Sequence, residues 1–334
     1  MRKLLAALAI GASAVAARRY WATRDALAAV PAEFRSPLLP LLAGDVTARG
    51  LRWARRAYGF RTRPGPGVRM TERRVDGRVP ALVFTPSAPA GRRPGILYLH
   101  GGGMIVGSPH SEALGSGRLA REVDAVVVSP DYRLAPEHPF PAALDDCMAT
   151  LHWMRDSADE LDIDPDRIAV TGSSAGGGLS AAVAQRAYDE GMTLRAQVLV
   201  YPMIDDRTVL RDDHNGRSHF LWTPRSNRFG WTSYLGRPPR LSDAPEYAAP
   251  ARRADLSGLA PAWVGVGSLD LFYDESVDYA ERLKAAGVEC ELVTVAGMYH
   301  GADGLARKDP AMKAFRRGVV EHLQRYLSPP SSPA

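Results

Sequence analysis

Cysteine is nearly absent from this chain. Cys147 and Cys290 are the only two in 334 residues, and they lie far apart in no metal or redox spacing. That excludes a disulfide framework and leaves two free, buried thiols as the expectation. No repeat is visible, which argues against a solenoid. Acidic residues are scarce at one end: residues 1–69 hold Asp25, Glu33 and Asp45 against 13 Lys/Arg. The whole chain carries only +5, so the remainder is net acidic. A basic arm suits nucleic acid or an anionic membrane surface. No nucleic-acid fold signature accompanies it, so nucleic acid is set aside as a partner.

A long hydrophobic run is also missing. Residues 4–17 form an apolar stretch of fourteen between Arg2-Lys3 and Arg18-Arg19. That is shorter than the roughly 20 residues of a spanning helix. Three readings of residues 1–22 stay open: a signal segment with small residues near Ala14 and Ala16, an anchor lying on a membrane, and a helix of a lid. Localisation stays open with them, between cytoplasm, membrane surface and export. What is present is an ordinary globular composition, 46% hydrophobic and 24% charged. At this length an α/β domain with a lid is expected.

The apolar pattern supplies eight strands, at 69–75, 79–84, 95–99, 125–129, 168–171, 196–201, 262–266 and 289–295. Helices fall between them at 111–123, 141–155, 174–188, 275–286 and 310–327. The central strands are apolar throughout instead of alternating, so both faces are buried and the sheet is mostly parallel. Two intervals break the rhythm. Residues 20–60 are irregularly helical and end at the breaker cluster 61–67. Residues 205–245 are polar, hold Trp222, Trp231 and Tyr234, and show no strand. An insertion there belongs over the carboxyl ends of the strands, where such sheets bind ligands.

The chemistry centres on Gly172-Ser173-Ser174-Ala175-Gly176, between a short buried strand and an alanine-rich helix. Strand, Gly-x-Ser-x-Gly, helix is the context in which a strained turn lifts a serine hydroxyl above the sheet. Glycines are needed because a Cβ there would collide with the neighbouring strand and helix. The turn also aims the Ala175 N–H at a bound carbonyl oxygen. His100-Gly101-Gly102-Gly103 follows the third strand. Three glycines let backbone N–H groups converge on one point, as an oxyanion site requires. His100 reads as a positioning residue bonded to backbone, not as a base.

A serine nucleophile needs a base and an orienting carboxylate, in the order Ser, acid, His. His214 and His219 fall in the lid-like insertion. His300 follows the last strand and can reach back over the sheet. Asp270 follows the preceding strand. Asp274 is the runner-up, although it and Glu275 could equally cap the next helix.

Asp131-Tyr132-Arg133-Leu134-Ala135-Pro136-Glu137-His138-Pro139-Phe140-Pro141-Ala142, taken with His100–Gly103, resembles the hormone-sensitive-lipase-like branch of the α/β-hydrolases, the bacterial family IV esterases. The resemblance covers roughly residues 70–325. It implies an α/β-hydrolase fold, with a mostly parallel eight-stranded sheet flanked by helices and a helical cap. It implies Ser174, Asp270 and His300 as a triad, and oxyanion donation from Gly102, Gly103 and Ala175 with Gly101 in the same loop. The 131–142 loop would brace the site, stiffened by its prolines. The core would comprise 67–202 and 248–328, and the cap 23–66 and 203–247. Three departures stand out. Ser173 occupies a place where the family has Asp or Thr, Leu271-Phe272 follow the acid instead of Pro-Leu, and Ala302 replaces an aromatic after His300-Gly301. The last of these bears on the shape of the acyl pocket.

The activity implied is hydrolysis of short- to medium-chain acyl esters, with no cofactor and no metal. Alternatives are a lipase or amidase of the same fold, and a non-catalytic ligand-binding protein; His300 speaks against the last. The expected partner is a small acyl ester, with a membrane surface reached through the basic N-terminus. The oligomeric state stays open, a dimer being compatible.

Overall fold

The computed structural model describes residues 20–329, residue 22 excepted. The signal, anchor and cap readings of the N-terminus therefore fall almost wholly outside the described residues. One sheet organises the rest. Its strands are β1 (Val68–Val75), β2 (Val79–Pro86), β3 (Arg93–Leu99), β4 (Val126–Pro130), β5 (Ile163–Ser173), β6 (Ala196–Val200), β7 (Ala262–Gly267) and β8 (Cys290–Val295). They lie in the order β1-β2-β4-β3-β5-β6-β7-β8. β2 runs antiparallel to β1 and β4, and every other pair is parallel.

The eight strands are those read from the apolar runs, with shifted ends. β5 differs most. It begins at Ile163, before the polar Asp164-Pro165-Asp166, because a register irregularity at Pro94/Gly95 lets β3 pair across that interruption. The valines of β4, Val126, Val127 and Val128, have no exposed surface, which fits a strand covered on both faces. Each such side chain contributes roughly 1.5–3 kcal/mol by leaving water. β1 is an edge, with Arg69, Arg73 and Arg74 exposed.

Helices Ala113–Val123, Ala142–Asp156, Ala175–Asp189, Tyr273–Ala285 and Pro310–Leu327 cover the two faces. Their ends are set by local chemistry. Asp309 accepts from the N–H groups of Ala311 and Met312 and is followed by Pro310 at the first helical position. Asp124 ends its helix in the left-handed conformation.

The two irregular intervals meet each other above the carboxyl ends of the strands. Residues 23–29 are helical, followed by tight turns at Ala32–Phe34 and Leu39–Leu42 and the helix Leu51–Tyr58. The 205–245 interval, which shows no strand, contains the helix Pro224–Leu235, capped by Thr223. The Ser226 hydroxyl accepts from Val46 N–H at 2.8 Å, Leu42 carbonyl from Leu221 N–H at 2.9 Å, and Thr223 donates to Asp45 at 2.6 Å. Leu51, Trp222, Trp231 and Tyr234 share one hydrophobic cluster with strand residues such as Leu97 and Val170. The covering layer therefore has no core of its own.

Candidate active site

Ser174 links β5 to the helix Ala175–Asp189 with φ 57° and ψ −120°. A non-glycine residue there stores on the order of 1–3 kcal/mol of strain and must be held by its surroundings. The holding groups are identifiable. The Ser174 N–H donates to Val200 carbonyl at 2.9 Å, and its carbonyl accepts from Gly178 and Met203 N–H, each at 3.0 Å. The turn also sits too close to β3 for side chains. A Cβ on Gly172 would lie 2.5 Å from the carbonyls of Leu99 and Gly176, and one on Gly176 only 2.0 Å from Leu99 oxygen. The glycines expected from sequence are thus required by contact with both strand and helix.

Three side chains from three strand ends converge on this turn. His300, after β8, places Nε2 3.0 Å from Ser174 Oγ. Its Nδ1 lies 2.8 Å from Oδ2 of Asp270, which follows β7. The other carboxylate oxygen of Asp270 accepts Phe272 N–H at 3.0 Å. Asp270 is fully buried, and Ser174 and His300 are almost so. The rings of Tyr201 and Phe272 stand edge-on to the imidazole at 4.8 and 5.3 Å. They limit its rotation and keep water from the carboxylate.

The rival residues lie elsewhere. His214 is half-buried and His219 exposed, and neither bonds to Ser174. Asp274 pairs with Arg217 at 2.6 Å and Arg211 at 2.8 Å, so it secures the 205–245 insertion to the helix Tyr273–Ala285. Burial raises its pKa, but the two guanidinium groups outweigh that and hold it below the usual carboxylate range. Glu275 is turned inward, where burial pushes its carboxyl well up. It accepts from Ile204 N–H at 2.8 Å, from Asp205 N–H at 3.2 Å and from the Thr208 hydroxyl. Neither acid caps the helix that contains it; no side-chain cap is made there.

The glycine loop after β3 is held group by group. His100 is fully buried, and burial pushes its pKa down to about 4, so it is neutral. Its Nδ1 lies 2.8 Å from Gly101 carbonyl, so this nitrogen carries the proton and donates it there. Its ring stacks on Tyr132 at 4.1 Å, and the Tyr132 hydroxyl donates to His100 carbonyl at 2.7 Å. Ile105 and Val106 N–H both donate to Gly102 carbonyl. From below, Ala135 N–H donates to Met104 carbonyl at 2.9 Å, while Arg55 bridges the carbonyls of Ile105 and Ala135 and the Glu137 carboxylate. The 131–142 segment and the Leu51–Tyr58 helix thus both brace the loop.

One expectation needs correction. The Gly101 N–H is not free to face a substrate, because it donates to Glu112 Oε1 at 2.9 Å. Among the described residues no acceptor occupies the N–H groups of Gly102, Gly103 or Ala175. Gly102 has φ +120° and a Cβ there would meet Val106 carbonyl at 2.1 Å; Gly103 has φ +61° and a Cβ there would enter the Trp222 ring. Both positions demand glycine. From sequence, Trp222 and Phe272 were named without a role at the site, and Tyr201 and Glu112 were passed over. The aromatics sit where apolar side chains are ordinary, and only the place of Tyr201 at a strand's carboxyl end hinted at more.

Clefts of about 410, 510 and 590 Å³ lie on other faces and hold none of Ser174, Asp270 or His300. A cavity of about 210 Å³ lies behind the serine turn, lined by Tyr98, Glu112, Ser173, Tyr201 and Asp303 among others.

A parallel sheet with a strained serine turn at its centre, and an imidazole and a carboxylate reaching it from the next strand ends, defines a hydrolase of the α/β type. The family model described as alpha/beta hydrolase fold matches residues 96–303. Over 272 aligned residues the chain is 39% identical to the carboxylesterase NlhH of Mycobacterium tuberculosis, covering 78% of this chain and 84% of that one. It is 36% identical over 266 residues to the esterase LipI of the same organism, covering 76% and 82%. The solved structure of a bacterial heroin esterase superposes with a TM-score of 0.82 at 33% identity, covering 90% of this chain and 99% of that one. The chain belongs to the α/β-hydrolase fold family, in its hormone-sensitive-lipase-like branch.

Proposed function

We propose that this member of a carboxylesterase family hydrolyses short- and medium-chain acyl esters through Ser174, His300 and Asp270. What carries the reading is the unbroken hydrogen-bonded line from Ser174 Oγ through both imidazole nitrogens to a buried carboxylate. Ser174 Oγ attacks the ester carbonyl carbon as its proton passes to His300 Nε2. The carbonyl electron pair moves onto oxygen, facing the N–H groups of Gly102, Gly103 and Ala175. Asp270 keeps the Nδ1 proton in place and stabilises the imidazolium. Collapse breaks the acyl carbon–oxygen bond, and the Nε2 proton leaves with the alcohol. Water then repeats the sequence on the acyl-enzyme, giving up one proton to Nε2. That proton returns to Ser174 as the acid departs.

Segments 23–66 and 203–247 serve as the cap over this site. Trp222 presses on Gly103, and the Leu221 side chain lies 3.7 Å from where a Gly301 Cβ would be. So close a roof favours short and medium acyl groups over long chains. The test is a p-nitrophenyl ester series from acetate upward with wild type and Ser174→Ala. The variant is expected to keep the fold and lose ~10⁴-fold or more in turnover; near-normal turnover would refute the assignment.

A second reading concerns the outer face of the cap. Six of the ten exposed large apolar side chains among the described residues fall between 20 and 60, Trp53 at 74% and Trp21 at 66% foremost. Arg49, Arg52 and Arg56 are exposed around Trp53 and have no acidic partner among the described residues. Aromatic rings beside unpaired arginines suit an anionic membrane surface, and we infer such contact. At ~1 kcal/mol for each arginine near the surface, replacing all three with glutamine should weaken vesicle binding on the order of 100-fold. Co-sedimentation with anionic and neutral vesicles at two salt concentrations measures this; binding indifferent to lipid charge and salt would refute it.

A further inference from the structure

The Glu112 carboxylate stands outside the three-residue line but touches the loop that faces the substrate. Glu112 occupies the position preceding the helix Ala113–Val123, yet its side chain makes no cap to that helix. It turns back toward β3 instead. Oε1 accepts the Gly101 N–H at 2.9 Å and Oε2 accepts the Tyr98 hydroxyl at 2.5 Å. The approach to Glu112 and to the serine turn leaves little room for a side chain at Gly101. A Cβ built there would stand 3.1 Å from Ser173 carbonyl and 3.2 Å from Ser173 Oγ.

The bookkeeping of the loop's polar groups shows what this bond does. His100 carbonyl is taken by Tyr132, Gly101 carbonyl by the His100 ring, and Gly102 carbonyl by Ile105 and Val106. Gly101 N–H is taken by Glu112. Among the described residues no acceptor takes the N–H groups of Gly102 and Gly103, and they are the two that must face the developing oxyanion. Without an acceptor, the Gly101 N–H would be a buried orphan. Such a group costs about 1–3 kcal/mol and draws the chain toward any available acceptor. Rotating that peptide turns the next one as well.

Resting on the reading of Ser174 as nucleophile, we propose that Glu112 is a positioning residue of the oxyanion loop, acting through Gly101 N–H and itself oriented by the Tyr98 hydroxyl. Both donors point at the carboxylate, so it works as a pure acceptor. A glutamine can reproduce half of that arrangement. Its oxygen takes the Gly101 N–H, and its amide donates to a Tyr98 hydroxyl that has turned to accept. Alanine can reproduce none of it. The same logic makes Tyr98 a support for a carboxylate, whose two oxygens are equivalent, but a necessity for an amide, which must be told which way to face.

The experiment uses the full chain and counts active sites by complete labelling with a fluorophosphonate. Failure of wild type to label at Ser174 would bring down the reading of the nucleophile, not the role of Glu112. Per labelled site, Glu112→Ala is expected to lose ~10–100-fold in kcat, below the ~10²–10³ of a donor removed outright, with KM little changed. The inhibition constant of a trifluoromethyl ketone, whose hemiketal oxyanion occupies the same donors, should rise in proportion. Glu112→Gln should recover most of both. A merely structural residue would lower the labelled fraction or the melting temperature and leave per-site kcat and ketone affinity untouched; that result would overturn the proposal. Should Glu112→Ala fail to fold, Glu112→Gln is compared with Tyr98→Phe/Glu112→Gln. The double variant is expected to lose kcat and ketone affinity that the single variant keeps, and equality of the two would overturn the proposal.

Discussion

Asp270→Asn is the sharpest probe of the site, because the structure says how the amide will sit. The wild-type carboxylate accepts two N–H donors, His300 Nδ1 at 2.8 Å and Phe272 backbone at 3.0 Å. An asparagine has one acceptor and one donor to set against them. If its oxygen faced His300, its amide would oppose the Phe272 N–H inside a fully buried site. Two opposed donors there cost about 1–3 kcal/mol, which makes that orientation roughly 5–150-fold rarer. The favoured orientation presents the amide to His300, which responds by carrying its proton on Nε2. An imidazole in that form cannot take the Ser174 proton. The small correctly oriented fraction also lacks a negative charge beside the imidazolium, a charged hydrogen bond of about 1.5–3 kcal/mol. Together these approach the ~5.5 kcal/mol that a ~10⁴-fold loss represents. The assay is p-nitrophenyl acetate turnover per labelled active site, with circular dichroism to verify the fold. Asp274→Asn, which frees only Arg211 and Arg217, should lose far less. A variant at 270 that kept more than about a hundredth of wild-type turnover would refute the reasoning, as would an equal loss at 274.

His300→Ala is expected to lose about as much as Ser174→Ala, whereas His214→Ala and His219→Ala should stay within about tenfold of wild type, since neither touches the serine; a dead His219→Ala would mean that the cap supplies the base. Gly102→Val places a branched side chain where a Cβ already meets Val106 carbonyl at 2.1 Å. It should displace the loop and cost roughly 10²–10³ in kcat, and an unchanged kcat with a raised KM would show that the loop only shapes the pocket. Stability should fall on acidification. Burial pushes His100 and His322 down to about 4. Their unfolded counterparts bind protons first as pH drops below about 6.5, so folding free energy is lost between about 6.5 and 4. His322→Leu should flatten the melting temperature against pH across that window, and an undiminished slope would refute its contribution.

What could be read from the sequence was whatever repeats a local rule. Strands buried on both faces have to be apolar, so the central ones were visible as runs. The serine turn was visible because its glycines form a local motif, although the contacts that demand them come largely from β3. Asp270 and His300 were legible as candidates by their places after successive strands. The rest depended on where distant segments meet. β5 reaches back through a polar stretch because of its pairing with β3, which no local pattern encodes. The commitment of Gly101 to Glu112 joins residues eleven apart across a loop, and a glutamate ahead of a helix looks like an ordinary helix start. The structure of the cap was illegible because it shares its apolar contacts with the sheet, so neither of its segments has the periodicity of a helix with its own core.

The same dependence explains why the reactive geometry does not relax. A serine at positive φ and a run of glycines are, taken alone, the least ordered parts of a chain. Here almost every neighbouring polar group is already occupied. Val200, Gly178 and Met203 hold the serine backbone, while Tyr132, the His100 ring, Ile105, Val106 and Glu112 hold the glycine loop. Any rotation that relieved strain at Ser174 would break its bonds to Val200, Gly178 and Met203, each of which costs about as much as the strain itself. Among the described residues the N–H groups of Gly102, Gly103 and Ala175 are left unoccupied. The neighbours that are satisfied hold the loop in place, and a substitution that orphans one of them should therefore be felt at the oxyanion before it is felt in the fold.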